Sequence, residues 1–315
     1  MRDVVVIGGG LTGLTACCQL EKLGLRYTVI ELKRCFGGSI RSASENGFIM
    51  DSSAFAFTSF ADEPWLPELG LSDQLLPLSA EAFIFRNGTE SLVCALASEL
   101  RGGRLMRMAV SSLGRHRRRF TICLENGLML DAGALILAVP ARYAVRMLYN
   151  LAPEAAEHLQ SYRYEGVWRA ALGFHKRDLP ASLADTEFSY LWTTDQPGRV
   201  PDRNCLLIQL AMPAPPDTPP ADIIRLVAGR LGATAIPVAS LAVSSPEALS
   251  IHDRDHADNM RLIRALLPAG ISLVGSDFLP QPPAQPGLAQ LAQRMAAGRG
   301  AAHDAARFLS GRRST

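Results

Sequence analysis

The sequence predicts an α/β fold in two parts, one built on a parallel sheet and the other on a mainly antiparallel sheet. Three observations support this. Residues 4–31 run as strand, glycine turn, helix, strand and acid. The middle of the chain is a series of short apolar runs separated by polar or proline-rich turns, "PAPPDTPP" (213–220) among them. Residues 271–309 return to a buried strand and a long alanine-rich helix.

The opening segment is the most informative. Val4–Ile7 is a run of β-branched residues, as a buried parallel strand requires. Gly8, Gly10 and Gly13 follow in G-x-G-x-x-G spacing. Apolar residues recur at helical intervals over 11–23, with Gly24 as the stop, and residues 27–30 read as a second strand ending at Glu31. Each part has a physical role. Gly8 permits a tight turn, Gly10 lets backbone approach a pyrophosphate, and Gly13 lets helix pack on strand. The helix start offers free N–H groups to phosphate, and Glu31 can accept from ribose hydroxyls. The pattern reads as a Rossmann-like dinucleotide site, and the segment alone leaves open which dinucleotide.

The remaining elements follow in order. Residues 65–76 read as partly helical, broken at Gly70. Residues 80–88 are a strand entering a turn, and 91–103 a helix stopping at glycines. Residues 117–132 form a hairpin around Asn126-Gly127. Residues 134–140 are a buried strand closed by Pro140. Strand-like runs at 166–175, 187–193, 204–211 and 235–243 suggest the antiparallel sheet, 271–278 the returning strand, and 288–309 the closing helix. No internal repeat is evident.

Composition narrows the class. At 315 residues with 48% hydrophobic content, the chain can bury a large core, and its net charge of +2 calls for no polyanionic partner such as nucleic acid. Six cysteines show no C-x-x-C or zinc-like spacing and read as reduced, mostly buried thiols. The first strand begins almost at Met1, leaving no room for a signal peptide, and no apolar run approaches a membrane span, so a soluble, cytoplasmic protein is expected.

Just past Glu31 comes "CFGGSIRSASENGFIMDSSA" (35–54), a second glycine pair not needed for NAD. Here the chain resembles the flavin-containing amine oxidase superfamily, especially its protoporphyrinogen oxidase and phytoene desaturase branches. Glu31, Gly37, Gly38, Ile40, Arg41, Ser42, Gly47, Phe48 and Asp51 carry the match. "MRMAVSSL", "ALILAVPARYAVRML", "YRYEGVWRAALGF", "HADNMRLIRALLPAGISLVGSDF" and "QLAQRMAAGRGAAHDAARFL" extend it over most of the chain. The resemblance implies FAD, contacted by Gly8, Gly10, Leu11, Thr12, Gly13, Glu31, Leu32, Gly37, Gly38, Ser39, Arg41 and Ser52. It adds Val110 through its backbone, Ala138, Gly275, Asp277 and Ala289. Covalent members use a cysteine near the C-terminus; none follows Cys205 here, so the FAD is expected to be dissociable. The implied FAD-binding domain is discontinuous, 1–54 with 89–145 and 265–315. Residues 55–88 with 146–264 form an antiparallel substrate domain roofing the flavin.

There are departures. Gly275-Ser276-Asp277 stands where the family runs Gly-Asp, and Ser53 replaces a glycine. Arg86-Asn87-Gly88 runs almost directly into residues 91–100, without the long helical insertion that caps the substrate and meets the membrane in porphyrinogen oxidases. Membrane attachment and the tetrapyrrole pocket therefore do not carry over, and the proportions are closer to renalase-like flavoproteins.

The resemblance aligns Arg169 with a lysine that amine oxidases link through water to flavin N5; a cation there stabilises reduced flavin or an oxygen-derived anion. Trp168 faces the other way, into the core. His175 and Lys176 read as a solvated strand end. His252 and His256, with Asp253, Asp255 and Asp258, read as a polar loop, and no metal is expected. Tyr190 and Trp192 line either pocket or core. Arg115, Arg117, Arg118 and Arg119 read as a solvated edge. The expected activity is an FAD-dependent dehydrogenation of a small molecule at a C–N or C–C bond, with reoxidation by oxygen or another acceptor. A renalase-like oxidase of reduced nicotinamides, a non-catalytic FAD-binding protein and an NAD-dependent dehydrogenase are the alternatives. The oligomeric state is not legible.

Overall fold

The computed structural model describes residues 3–58, 64–183, 188–250 and 255–313. A five-stranded parallel sheet runs in the order Ile271–Leu273, Ala134–Leu137, Val4–Ile7, Tyr27–Glu31, Gly103–Met106. Val4 pairs with both Ala134 and Tyr27. The three central strands are buried on both faces, which is why they read as unbroken apolar runs rather than alternating ones. Val4, Val6 and Val29 face the helices Leu11–Lys22, Glu90–Ser98 and Leu291–Arg313. Val5, Ile7 and Ile30 face a three-stranded meander, Val110–His116, Arg119–Leu124 and Met129–Ala132, together with the helices Ala141–Leu148 and Pro153–Gln160. The Asn126-Gly127 hairpin forms as expected, with Gly127 at φ +82°.

A four-stranded antiparallel sheet follows the order Tyr190–Thr194, Cys205–Met212, Tyr164–His175, Ala239–Ser250. Leu172, Phe174, Ile208 and Leu210 point to one side, where the helix Pro220–Arg230 covers them. The opposite side packs on the hairpin Ser42–Glu45 and Phe48–Asp51. A small second sheet has the order Leu288–Ala289, Ala56–Thr58, Ala82–Phe85, Leu75–Pro77.

Three sequence expectations shift. The closing helix begins at Leu291, because Leu288 and Ala289 pair in parallel with Ala56 and Phe57. The strand expected at 235–243 begins at Ala239 and runs to Ser250, since Pro237 has no N–H to donate to a ladder. Only half of the cysteines are buried. Cys17, Cys18 and Cys205 are, Cys123 is half-buried, and Cys35 and Cys94 are exposed. Cys94 lies on the outer side of a helix whose inner stripe is Leu92, Val93 and Leu96. No helix among the described residues is long and apolar enough to cross a membrane.

One buried ion pair ties these layers together. Arg199 Nη2 donates to Asp51 Oδ2 at 2.7 Å, and neither side chain is exposed. Arg199 Nη1 donates to the Phe85 carbonyl, and its guanidinium lies over the Phe55 ring. Removing one partner of such a pair strands the other charge in the core. Arg199→Ala is expected to cost about 3–5 kcal/mol, read as a lowered urea midpoint; an unchanged midpoint would refute the pair's structural role.

Candidate functional site

The glycine turn is held by contacts of two kinds. Gly8 sits at φ +103°, and a Cβ there would lie 2.4 Å from the Ala138 carbonyl oxygen; a Cβ on Gly13 would lie 1.9 Å from the Gly8 oxygen. These two positions are demanded by the chain's own packing. Gly10 is different. Its φ of −76° suits any residue, and a Cβ there would meet nothing nearer than Gly38 Cα at 3.9 Å. The chain itself gives no reason for a bare backbone at Gly10; a ligand passing close by does.

The start of the Leu11–Lys22 helix points the same way. It has no side-chain cap, so its first N–H groups remain available to an anion. Thr12 is buried, and its Oγ1 has no partner among the described residues. An orphaned hydroxyl beside uncapped amides and an open-sided glycine fits a diphosphate. Leu11 is wholly buried and serves the core.

The second glycine pair closes against the first. Gly37 N–H donates to the Gly9 carbonyl at 2.7 Å, and Gly10 forms a bridge with Gly37. Glu31, buried at the end of its strand, accepts from the Gly9 and Lys33 amides, both at 2.7 Å. It therefore shapes the turn and keeps lone pairs to spare. Leu32 beside it is 61% exposed. The Ser39 carbonyl accepts from the Ser52 and Ser53 hydroxyls. Arg41 is occupied by Glu90 and by the Cys35 carbonyl and sulfur, so its guanidinium locks the loop. Val110 is buried at the start of its strand, and the Ala138 amide donates to the Ile7 carbonyl, beside Gly8.

On the far side of the turn, Gly275 adopts φ +142° and leads into Asp277. Asp277 is buried; its Oδ2 accepts from the Ala141 amide at 2.9 Å and the Tyr164 hydroxyl at 2.5 Å. Burial, reinforced by Asp277's charge, pushes the Tyr164 phenol up, so it stays a donor. Ala289 is half-buried on the short strand just before the closing helix. Arg169 lies on the face of the antiparallel sheet opposite the Pro220–Arg230 helix, donating to Ser245 Oγ at 3.3 Å and hydrogen-bonded with Tyr190. Trp168 faces that helix and donates to the Pro215 carbonyl, so the two neighbours divide as the alternation predicts.

The other candidates lie elsewhere. Lys176 pairs with Asp195 at the surface, and Arg115, Arg117 and Arg118 are exposed. His256 and Asp258 do not lie in a polar loop but on the helix His256–Leu266, where His256 is buried against the Leu279 carbonyl, while His252 and Asp253 fall outside the described residues. Among the described residues no cluster of metal-binding side chains occurs. Sequence reasoning missed Arg199, Gln209, Glu90 and Arg294. Arg294 left no signal, because only the later helix start at Leu291 places it in the first turn, where a cation opposes the helix dipole.

A parallel sheet whose glycine turn is suited to a diphosphate is joined here to an antiparallel sheet that carries Arg169 on the face away from its covering helix. Known families make the assignment specific. The flavin containing amine oxidoreductase model matches residues 68–231, and an NAD(P)-binding Rossmann-like domain model matches residues 6–69. Protoporphyrinogen oxidase 2 of Arabidopsis thaliana is 34% identical over 128 residues, covering 39% of this chain and 24% of that protein. The mitochondrial protoporphyrinogen oxidase of Nicotiana tabacum is 43% identical over 96 residues, covering 29% and 19%. The matches thus span about a quarter or less of these curated relatives. In fold, a structure from Exiguobacterium sp. 255-15 with a provisional protoporphyrinogen oxidase name superposes with a TM-score of 0.78 at 14% identity, covering 98% of this chain and 99% of that one. A putrescine oxidase variant gives 0.70 at 15% identity, covering 97% and 99%. The chain belongs to the flavin-containing amine oxidoreductase family. The model that shows this membership describes flavin-containing amine oxidoreductases.

Gly10→Ala separates fold from ligand. The apoprotein is expected to keep its melting temperature or gain slightly, by up to about 1 kcal/mol, while FAD content falls at least tenfold. Full flavin loading in this variant would refute the assignment of the turn.

Proposed function

We propose that the chain dehydrogenates a small molecule at a C–N or C–C bond. FAD, when bound, supplies the hydride acceptor at its N5 and passes the electrons to oxygen or another acceptor. Gly8, Gly10, Thr12 and Gly13 with the first amides of the Leu11–Lys22 helix would hold the diphosphate, Glu31 the adenosine ribose, and Gly37, Gly38, Ser39, Arg41 and Ser52 the inner wall. Leu32 would flank the nucleotide, with Leu11, Val110 and Ala138 contributing backbone, and Gly275, Asp277 and Ala289 lining the far side.

The observation that carries the catalytic reading is Arg169. It is held by Ser245 and Tyr190 on the sheet face turned away from the covering helix. A guanidinium fixed by two oxygen partners keeps its orientation as charge develops nearby, which is how preorganised groups lower a barrier. The substrate would lie against this face, with Tyr190 and Trp192 as walls. In this reading the residues 1–54, 89–145 and 265–315 serve FAD, and 55–88 with 146–264 serve the substrate.

The first test is the visible spectrum of purified protein before and after acid precipitation. A flavin spectrum released into the supernatant is expected; a colourless protein that takes up no added FAD would refute the reading. Arg169→Ala should retain FAD yet slow reoxidation of dithionite-reduced protein by oxygen roughly 10- to 100-fold. An unchanged rate would leave Arg169 with no part in stabilising charge.

A further inference from the structure

The two exposed cysteines belong to one small cluster. Cys35 lies in the loop that leads from Glu31 to the second glycine pair, and Cys94 on the Glu90–Ser98 helix. Arg41 joins the two segments. Its Nη2 donates to Cys35 Sγ at 3.0 Å and to the Cys35 carbonyl at 3.3 Å, while Nη1 donates to Glu90 Oε1, also at 3.3 Å. Glu90 stands four residues before Cys94, so the two side chains lie one above the other on a single helix face. The backbones approach as well. A Cβ on Gly37, two residues past Cys35, would lie 2.9 Å from Cγ2 of Val93, the neighbour of Cys94. The two sulfurs therefore flank one ion pair.

Their surroundings differ. A guanidinium N–H aimed at Cys35 Sγ stabilises negative charge on that sulfur as it attacks an electrophile, and its exposure leaves the approach open. At Cys94, partial burial of the sulfur and then the Glu90 carboxylate push the thiol up, only partly opposed by Arg41. Cys94 thus stays a thiol until an oxidised sulfur is presented to it. An accessible sulfur beside a cation, with a second thiol at hand, favours condensation of a sulfenic acid to a disulfide over further oxidation. The other cysteines are less accessible: Cys17, Cys18 and Cys205 are buried and Cys123 is half-buried.

We propose that Cys35 and Cys94 form a peroxide-reactive dithiol pair, in which Cys35 attacks and Cys94 resolves. In the first step Cys35 Sγ attacks an oxygen of a hydroperoxide. The S–O bond forms, the O–O bond breaks, and the other oxygen departs as water or alcohol with the thiol proton; sulfur loses two electrons and the peroxide gains them. In the second step Cys94 Sγ attacks the Cys35 sulfenic sulfur. The S–S bond forms, the S–O bond breaks, and the hydroxyl leaves as water with the Cys94 proton. The half-buried Arg41 side chain swings aside as the sulfurs meet. The link fastens the Gly37 loop, which closes on the Gly9 carbonyl, to the Glu90–Ser98 helix. Oxygen-dependent turnover of the kind proposed above would supply hydrogen peroxide, yet the pair needs only peroxide from any source.

The purified protein is reduced, freed of reductant, treated with equimolar hydrogen peroxide, denatured in iodoacetamide and digested without reduction. Mass spectrometry is expected to find the peptides of Cys35 and Cys94 joined, two hydrogens lighter than the separate peptides, and parted again by dithiothreitol. Cys17, Cys18, Cys123 and Cys205 should be found alkylated. In Cys94→Ser, dimedone added with the peroxide should label Cys35; in Cys35→Ser, Cys94 should escape dimedone and be found alkylated. Both positions are exposed, so the two variants are expected to keep the melting temperature of the unmodified protein. Full alkylation of Cys35 and Cys94 after peroxide would overturn the proposal. Dimedone on Cys94 in Cys35→Ser, at the level seen on Cys35 in Cys94→Ser, would overturn the division of roles. A joined pair found only in cross-linked dimers would refute the link within one chain.

Discussion

The contact between Asp51 and Arg199 organises the region between the two sheets. Asp51 gathers the Ser42 hydroxyl and the Thr89 amide on Oδ1 and takes Arg199 on Oδ2. Its backbone is bonded both ways with the Gln209 side chain of the antiparallel sheet. Arg199 reaches the Phe85 carbonyl, and its own carbonyl accepts the Ile49 amide. Segments distant in sequence thus meet at one pair of charges. A buried pair need not stabilise more than an apolar replacement would, but it tolerates few arrangements. What it secures here is geometry: the Phe48–Asp51 strand is fixed against the antiparallel sheet, and Ser52, which follows it, is tied to the Arg41 and Ser39 carbonyls beside the glycine loops.

That geometry gives the glycine turn its meaning. Gly8 and Gly13 are bare because the chain folds back on itself there, and they would be needed whatever the turn bound. Among the described residues, nothing meets the Thr12 hydroxyl and nothing crowds Gly10. A residue whose form is unexplained by its own neighbours is the best internal evidence of an absent one. The match to the flavin-dependent family agrees with this, and the low identity of the solved neighbours makes their agreement one of fold.

The two faces of the antiparallel sheet follow from simple alternation. Trp168, Ala170, Leu172 and Phe174 pack beneath a helix, while Arg169 and Ala171 turn to the other side. An arginine there would be an ordinary surface residue on an isolated sheet. With the Phe48–Asp51 hairpin packed against that side, it lies half-buried between the layers, held by Ser245 and Tyr190.

The sequence by itself determined the parallel sheet, the glycine turn, the hairpin at Asn126-Gly127 and the sidedness of Trp168 and Arg169. These depend on local backbone geometry and on periodicity, which neighbouring residues encode. The resemblance through Gly37, Gly38 and Asp51 pointed to the flavin. Tertiary structure alone decided that Asp51 meets Arg199, that Asp277 is held by Tyr164 and Ala141, and that Leu288 and Ala289 form a strand rather than the first turn of a helix. Arg199 lies between glycine and proline in an unpatterned stretch, and nothing local distinguishes it from a solvent-facing arginine. Its partner is 148 residues away. Pairings over such separations are chosen by how the sheets stack and by which charges burial forces together, and no short window of sequence carries that information.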